Sequence, residues 1–372
     1  MYLQNELLMA IPLAVYVGFR ILSLTASRVL RVVFAIAYAL LAAGYPVAER
    51  LAHGSGDGWA NAVILFGYYA LPLMLYLVLT VILADIALGA LRLARVVSKE
   101  TVRSTRFRRV RLSVMLAVPA LVLAYGIVNH NVLRVVEYRV DVPRRASPAR
   151  ELTVVFMADL HFRGLVPDRI LDALVAKVNA AKPDVILVGG DIMEGDRRDE
   201  DTGRYERAFR GMKSTYGTFG VPGNHERFSR AAGADFFARA GVRLLRDEAE
   251  VVDGAFVLAG RNDGRSRGRM SVDKLLSGVP KDLPVILLAH RPVELDQAER
   301  AGVDIQLSGH THHGQLFPIN WITAHEYELS RGHMKKGPTH VFVTSGVQVW
   351  GPPVRTVGAS EILVIRVSFT GD

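Results

Sequence analysis

Leu152-Thr153-Val154-Val155-Phe156-Met157-Ala158-Asp159-Leu160-His161 is a short β-rich apolar run that ends in an acid and an imidazole two positions apart. In extended backbone such residues point the same way, so Asp159 and His161 can face one point. The same form recurs downstream. Val185–Val188 runs into Gly189-Gly190-Asp191, and a strand before Pro222 is followed by Gly223-Asn224-His225-Glu226. Val285–Ala289 ends in His290, and Ile305–Leu307 leads to Gly309-His310-Thr311-His312. Thr339–Thr344 and Glu361–Val367 read as two more strands, whereas Asp168–Ala181 and Ser229–Ala240 carry helical spacing. Short buried strands alternating with helices predict an α/β domain, a β-sandwich flanked by helices. Strand ends at one rim are where such folds place their sites.

The residues at those ends share a chemistry. His310 and His312 repeat the two-residue spacing of Asp159 and His161. Glycines precede Asp191, Asn224 and His310, where the backbone must turn tightly beside a ligand. Imidazole, carboxylate and amide oxygen suit Mn, Fe or Zn rather than copper(I). The chain has no cysteine, which excludes disulfides, thiolate ligands and a cysteine nucleophile. Each motif alone has an ordinary structural reading, a satisfied polar residue or a plain turn. Five in order, each at a strand end, are hard to reconcile with chance.

Working outward, the N-terminal part is of another kind. Half of the 372 residues are hydrophobic and the mean hydropathy is +0.23. The excess lies in four stretches of about the 20 residues a bilayer requires: Leu7–Leu24, Val29–Ala48, Trp59–Leu83 and Leu112–Val132. Arg20 interrupts the first. A signal peptide is rejected because no basic segment precedes the run and Glu6 does. The expected organisation is an all-α transmembrane bundle over 1–138, a Pro- and Arg-containing linker over 139–150, and the α/β domain over 151–372.

Charge follows this division. Of the net +9, residues 1–133 carry +7 and the remainder +2. A basic membrane half and a nearly neutral catalytic half read as a topology signal, not as a nucleic-acid footprint. Arg20, Arg28 and Arg31 lie in the first connection, and the third holds eight basic residues between Arg92 and Arg111. Placing both inside leaves both chain ends, and the catalytic domain, outside the cytoplasm. Arg134, Arg139, Arg144, Arg145 and Arg150 vote against this but are outnumbered.

Asp159-x-His161, Gly190-Asp191, Gly223-Asn224-His225-Glu226, His290 and Gly309-His310-x-His312 together resemble the calcineurin-like metallophosphoesterase superfamily. Gly314-Gln315 and Val343-Thr344-Ser345-Gly346 are similar to its membrane-associated bacterial branch, which includes YkuE- and YaeI-like phosphodiesterases and enzymes cleaving UDP-diacylglucosamine. The resemblance covers about residues 150–367. It implies two divalent cations, Mn favoured over Fe or Zn. Asp159, His161 and His312 would hold one, Asn224, His290 and His310 the other, and Asp191 would bridge them. It also implies a metal-activated hydroxide attacking phosphorus, with His225 donating a proton to the leaving oxygen or stabilising phosphate charge. His313 departs from the pattern, standing where glycine is usual.

Several residues have two readings. Glu226 could orient His225 or lie at the surface, and Arg291 could hold a substrate phosphate or form a surface ion pair. His53, His130, His325, His333 and His340 read as surface or interface polar residues. The apolar Leu316–Ile322 and Val349–Val354 could be a packed cover over the sheet end or a lipid-facing lip. Three functions follow: a phosphomonoesterase or phosphodiesterase of the bacterial inner membrane acting on a bilayer-associated substrate; a UDP-2,3-diacylglucosamine-type lipid pyrophosphatase, which an outward-facing domain could not supply; and a non-catalytic sensor or scaffold, which a complete ligand set disfavours.

Overall fold

The computed structural model describes residues 2–25, 27–52, 58–143, 146–162, 166–193, 202–226, 234–264, 266 and 268–371, with side chains of 2–10, 52 and 234–235 left aside. His53, Arg144, Arg145 and residues 229–233 of the expected second helix lie outside the described residues. The chain divides into two compact units, Met1–Val128 with Gly351–Val354 and Asn129–Trp350 with Arg355–Asp372.

The first unit is helical: α1 (Tyr2–Leu24), α2 (Arg28–Ala52), α3 (Gly58–Leu93), the short α4 (Lys99–Arg103) and α5 (Thr105–Asn131). Among the described residues, α2, α3 and α5 are long and apolar enough to cross a membrane. The stretch Ile11–Leu24 of α1 is apolar but shorter. Arg20, which interrupts the apolar run, is accounted for. Its guanidinium donates to both oxygens of Asp85 on α3, at 2.6 and 2.7 Å. Tyr16 and Arg111 also donate to Asp85, joining α1, α3 and α5 at one carboxylate. Ionisable groups on apolar helices persist where they pair in this way. Val17, Ile21, Leu77, Val81 and Met115 pack the same three helices.

The second unit holds two six-stranded mixed sheets. The first is ordered β1 (Leu133–Pro143), β12 (Ser360–Thr370), β2 (Glu151–Met157), β3 (Val185–Val188), β4 (Thr218–Gly220), β5 (Val242–Leu244). The second is ordered β10 (Gly332–Lys336), β11 (Thr339–Val343), β9 (Ile305–Ser308), β8 (Val285–Leu288), β7 (Phe256–Gly260), β6 (Glu248–Val252). The expected sandwich is therefore present. Val154, Phe156, Leu187 and Phe219 of one sheet share an apolar core with Leu258, Ile286, Leu307 and Phe342 of the other. Beyond the first sheet, Ile170, Leu174 and Val178 of α6 (Asp168–Ala180) pack with Tyr205 and Phe209 of α7 (Gly203–Arg210) and Phe236, Phe237 and Ala240 of α8 (Ala234–Ala240). Beyond the second, α9 (Val272–Leu275) and α10 (Leu295–Arg300) do the same with fewer residues. The last helix, α11 (Ile319–Glu326), contributes no buried residue.

One expectation on boundaries differs. Residues 139–150 were expected to be linker, yet β1 runs from Leu133 to Pro143 and pairs in parallel with β12 along its whole length. Only Val132 thus separates the end of α5 from the start of the sheet. The reason is position: β1 is an edge strand, with a burial pattern that alternates only loosely and charges at Arg134, Glu137 and Arg139. Edge strands carry such charges, and a Pro- and Arg-rich edge reads as a linker.

Candidate metal centre

The carboxyl ends of β2, β3, β4, β8 and β9 converge, drawing on both sheets. Beyond β2 and β3 the backbones stay paired: Asp159 donates to the Gly190 carbonyl at 3.0 Å and His161 to the Asp191 carbonyl at 3.0 Å. This pairing fixes where the two acids project. Asp159, His161, Asp191, His310 and His312 all have φ between 41° and 70°. Left-handed backbone is uncommon for residues other than glycine, and such strain collects at functional sites. Two of the glycines are sterically required. A Cβ on Gly309 would lie 2.3 Å from Asp159 Oδ2, and one on Gly223 would lie 2.1 Å from Asp191 Oδ1.

Seven of the expected side chains meet here. His161 Nε2 is 3.1 Å from His312 Nε2, and His312 Nε2 is 3.7 Å from Asp159 Oδ1. On the other side, His290 Nε2 lies 3.2 Å from Asp191 Oδ2, 3.2 Å from Asn224 Oδ1 and 3.2 Å from His310 Nδ1. Asp191 stands between the groups, its Oδ2 also 3.9 Å from His161 Nε2. Asp159, His161 and His312 could hold one cation, and Asp191, His290 and His310 another. His225 is edge-on to His161 at 4.8 Å between centroids and also falls within ligand reach of His161 and Asp191. Once deprotonated, these facing imidazole nitrogens, with the two carboxylates and the Asn224 amide oxygen, form a donor set that fits divalent cations. His290 Nδ1 sits 2.8 Å from the Gly189 carbonyl, which accepts its proton and leaves Nε2 aimed at the centre.

The electrostatics are those of a buried, crowded site. Burial pushes the Asp159 carboxyl up to about 7, against the pull of His290. For Asp191 burial is outweighed by His290 and His161, and the carboxyl is held well below its usual range. Burial disfavours the His290 imidazolium, but adjacent Asp191 prevails and raises it to about 10. Burial, with His290 adding, lowers His310 to about 2; burial and then Arg355 lower His312 to about 3. His310 and His312 are thereby kept neutral, the form that binds metal.

Around these groups the structure corrects some readings and extends others. Glu226 neither orients His225 nor lies at the surface. It is buried and accepts backbone N–H bonds from Gly223 at 2.7 Å, Asp191 at 2.9 Å, Ile192 at 2.6 Å and Met193 at 3.3 Å. Arg291 donates to Asp263 at 2.8 Å and lies 3.5 Å from Asn224 Oδ1, a buried-acid pair at the edge of the centre. His313 takes φ 50°, the conformation a glycine would adopt there, and is held by Thr311 Oγ1 and Ser330 Oγ. His130 and His340 are buried rather than at the surface, whereas His333 is exposed on β10, as expected, with its ring stacked on His340 and Phe342. Arg355, which no motif pointed to, is wholly buried and donates to the carbonyls of Gln348 at 2.7 Å and His312 at 3.3 Å. Of the two acids whose charge it feels, Glu361 stands six residues on, but Asp159 lies far away in the chain.

A family model for calcineurin-like phosphoesterases matches residues 152–314. An uncharacterized metallophosphoesterase of Campylobacter jejuni is 30% identical over 270 residues, covering 70% of this chain and 70% of its own. The chain belongs to the calcineurin-like phosphoesterase family. An uncharacterized metallophosphoesterase of Helicobacter pylori is 33% identical over 225 residues, 59% of this chain, and the match spans 60% of that relative's length. A zebrafish (Danio rerio) transmembrane protein with metallophosphoesterase domain is 29% identical over 288 residues, 71% of this chain and 64% of its own. Calcineurin-like phosphoesterases use a dinuclear metal centre, and the described residues of this one present three overlapping candidate ligand clusters, two of which contain Asp191.

Proposed function

We propose that this chain is a membrane-held phosphoesterase that hydrolyses phosphomonoester or phosphodiester bonds at a two-metal centre, on a membrane-associated or envelope substrate. The observation that carries the reading is the placement of Asp191 between two imidazole pairs, His161 with His312 and His290 with His310. Asp159, His161 and His312 would hold one cation and Asn224, His290 and His310 the other, with Asp191 available to both. Two divalent cations supply Lewis acidity, activating water and offsetting charge on a phosphoryl group.

The protein's own part is positioning and proton transfer. Glu226 fixes the loops that carry Asp191 and Asn224 by binding their backbone. His225 is proposed to donate a proton to the leaving oxygen, and its N–H bond to Asp191 Oδ1 at 2.8 Å fixes its backbone next to the centre. Arg291 is proposed to meet a substrate phosphate from the Asn224 side, its guanidinium already oriented by Asp263. On this reading the helices up to Asn131 are the membrane module, and the catalytic domain begins with β1 at Leu133. The distribution of arginines supports a bacterial inner-membrane protein whose domain faces away from the cytoplasm. This favours a phosphoester of the envelope over a cytoplasmic nucleotide-sugar lipid. Manganese is the proposed metal.

Purified protein should hydrolyse an aryl phosphate or aryl phosphodiester, stop on chelation, and recover best with manganese. Full activity in demonstrably metal-free protein would sink the reading. A reporter fused at the C-terminus decides the side of the membrane.

A further inference from the structure

The turn His312–Gly314, which carries a proposed ligand, runs directly into a segment that is apolar and turned outward. Phe317, Ile319, Trp321 and Ile322 are exposed, the last two by 65% each, and no residue of α11 is buried. Phe317 and Trp321 meet edge to face at 5.0 Å, so they form one patch. A contiguous aromatic and aliphatic surface is costly in water and marks a binding surface.

What covers it follows from the hydrogen bonds beneath it. Phe317 N–H donates to Thr356 Oγ1 at 2.9 Å, and Thr356 N–H donates to the Gln315 carbonyl at 2.9 Å, which joins the patch to the loop Arg355–Ser360. That loop is held by the last turn of α5. Asn129 Nδ2 donates to the carbonyls of Arg355 at 2.9 Å and Gly358 at 3.2 Å, and Ser360 Oγ donates to the His130 carbonyl at 2.7 Å. Helix α5 is among the described helices long and apolar enough to span a membrane. The end of a membrane helix, the loop whose Arg355 binds the His312 carbonyl, and the apolar patch are thus one hydrogen-bonded assembly. A tryptophan and an isoleucine that close to the end of a spanning helix match the interfacial layer, where aromatic rings settle at headgroup depth.

We infer that Phe317–Ile322 is a lip seated in the lipid leaflet beside the metal centre, and that the centre takes its phosphoester from a lipid lying in that leaflet. The second clause rests on the phosphoesterase reading; the first does not. Lipid phosphate then enters from the bilayer side, past the lip, and its acyl chains need not leave the membrane.

The test uses the full chain in phosphatidylcholine vesicles doped with phosphatidic acid. Trp59→Phe with Trp350→Phe leaves Trp321 as the single tryptophan of the three. Lipids brominated near the headgroup should quench Trp321 strongly, and aqueous acrylamide weakly. Quenching by acrylamide alone shows a lip in water, and quenching by neither shows a protein surface, such as a second copy, over it; either result overturns the inference. Separately, Trp321→Ser with Ile322→Ser should lower the ratio of phosphatidic acid hydrolysis to soluble aryl phosphate hydrolysis by about tenfold, the worth of one large apolar side chain. An unchanged ratio overturns substrate capture. If neither substrate turns over, the quenching arm still decides where the lip lies, and the failure belongs to the phosphoesterase reading.

Discussion

Glu226 Oε2 accepts the backbone N–H of Asp191 at 2.9 Å, so one buried carboxylate sets the position of another that stands between two ligand clusters. Burial and the nearby Asp191 charge both raise the Glu226 carboxyl, and its backbone donors oppose them. Replacing it with alanine leaves up to four buried N–H groups without their acceptor. At about 1–3 kcal/mol for each unmet buried group, with partial rescue by water, Glu226→Ala should destabilise the domain by about 3–5 kcal/mol. The variant should also bind fewer metal equivalents, and Glu226→Gln should recover part of both. Thermal unfolding and metal analysis check this; a variant with native stability would show that the brace is dispensable.

Asp191→Ala should be the most damaging ligand substitution. Its carboxylate faces His161 at 3.9 Å and His290 at 3.2 Å, and it alone belongs to both sides. Metal content should fall by close to two equivalents, against about one for Asp159→Ala or His310→Ala. Retention of two tightly bound metals in Asp191→Ala would remove it as the bridge.

His225→Ala should keep its metals and lose kcat. The general-acid contribution is worth about 10²–10⁴-fold for an alkyl ester and shrinks for a nitrophenyl ester, whose leaving group needs little protonation. An equal loss with both substrates would point to phosphate stabilisation. Loss of metal would make His225 a ligand, a role its closeness to His161 and Asp191 allows.

Metal binding should release protons, and more at pH 6 than at pH 8. In the metal-free protein His290 holds its proton up to about 10 and Asp159 up to about 7, whereas His310 and His312 are neutral throughout this range. Both pKa values are raised, so the metal must displace the His290 proton at either pH and the Asp159 proton only below about 7. Apparent affinity therefore falls as pH is lowered, more steeply below 7. Calorimetry in buffers of different ionisation enthalpy reads the release directly; a larger release at pH 8 would reverse the assignment of Asp159.

The proposed ligand residues were legible because each sits where a short apolar run stops, and strands such as Val185–Val188 announce themselves by composition. His161 and His312 lie 151 positions apart in the chain, and only the pattern of all five stops suggested that they meet. What stayed hidden had no local signature. Glu226 looks like any acid in a turn until the sheet brings the loop after β3 to it. Arg355 sits in a Pro-Pro-Val-Arg stretch, and nothing nearby says that it will be buried. The strands β5, β6 and β10 are short or charged, and pairing rather than local preference makes them strands. His313 was visible as a departure, but its tolerance depends on Ser330, seventeen residues on.

The pairing of β1 with β12 also bears on how the catalytic domain can be separated from its membrane helices. A cut at residue 151, where composition changes, discards β1 and bares the full length of β12 from Ser360 to Thr370. An unprotected strand of that length recruits other chains edge to edge. A cut before Leu133 keeps the charged natural edge in place, so two soluble fragments differing by eighteen residues at one end should part ways on a sizing column, one running as a discrete species and the other as aggregate.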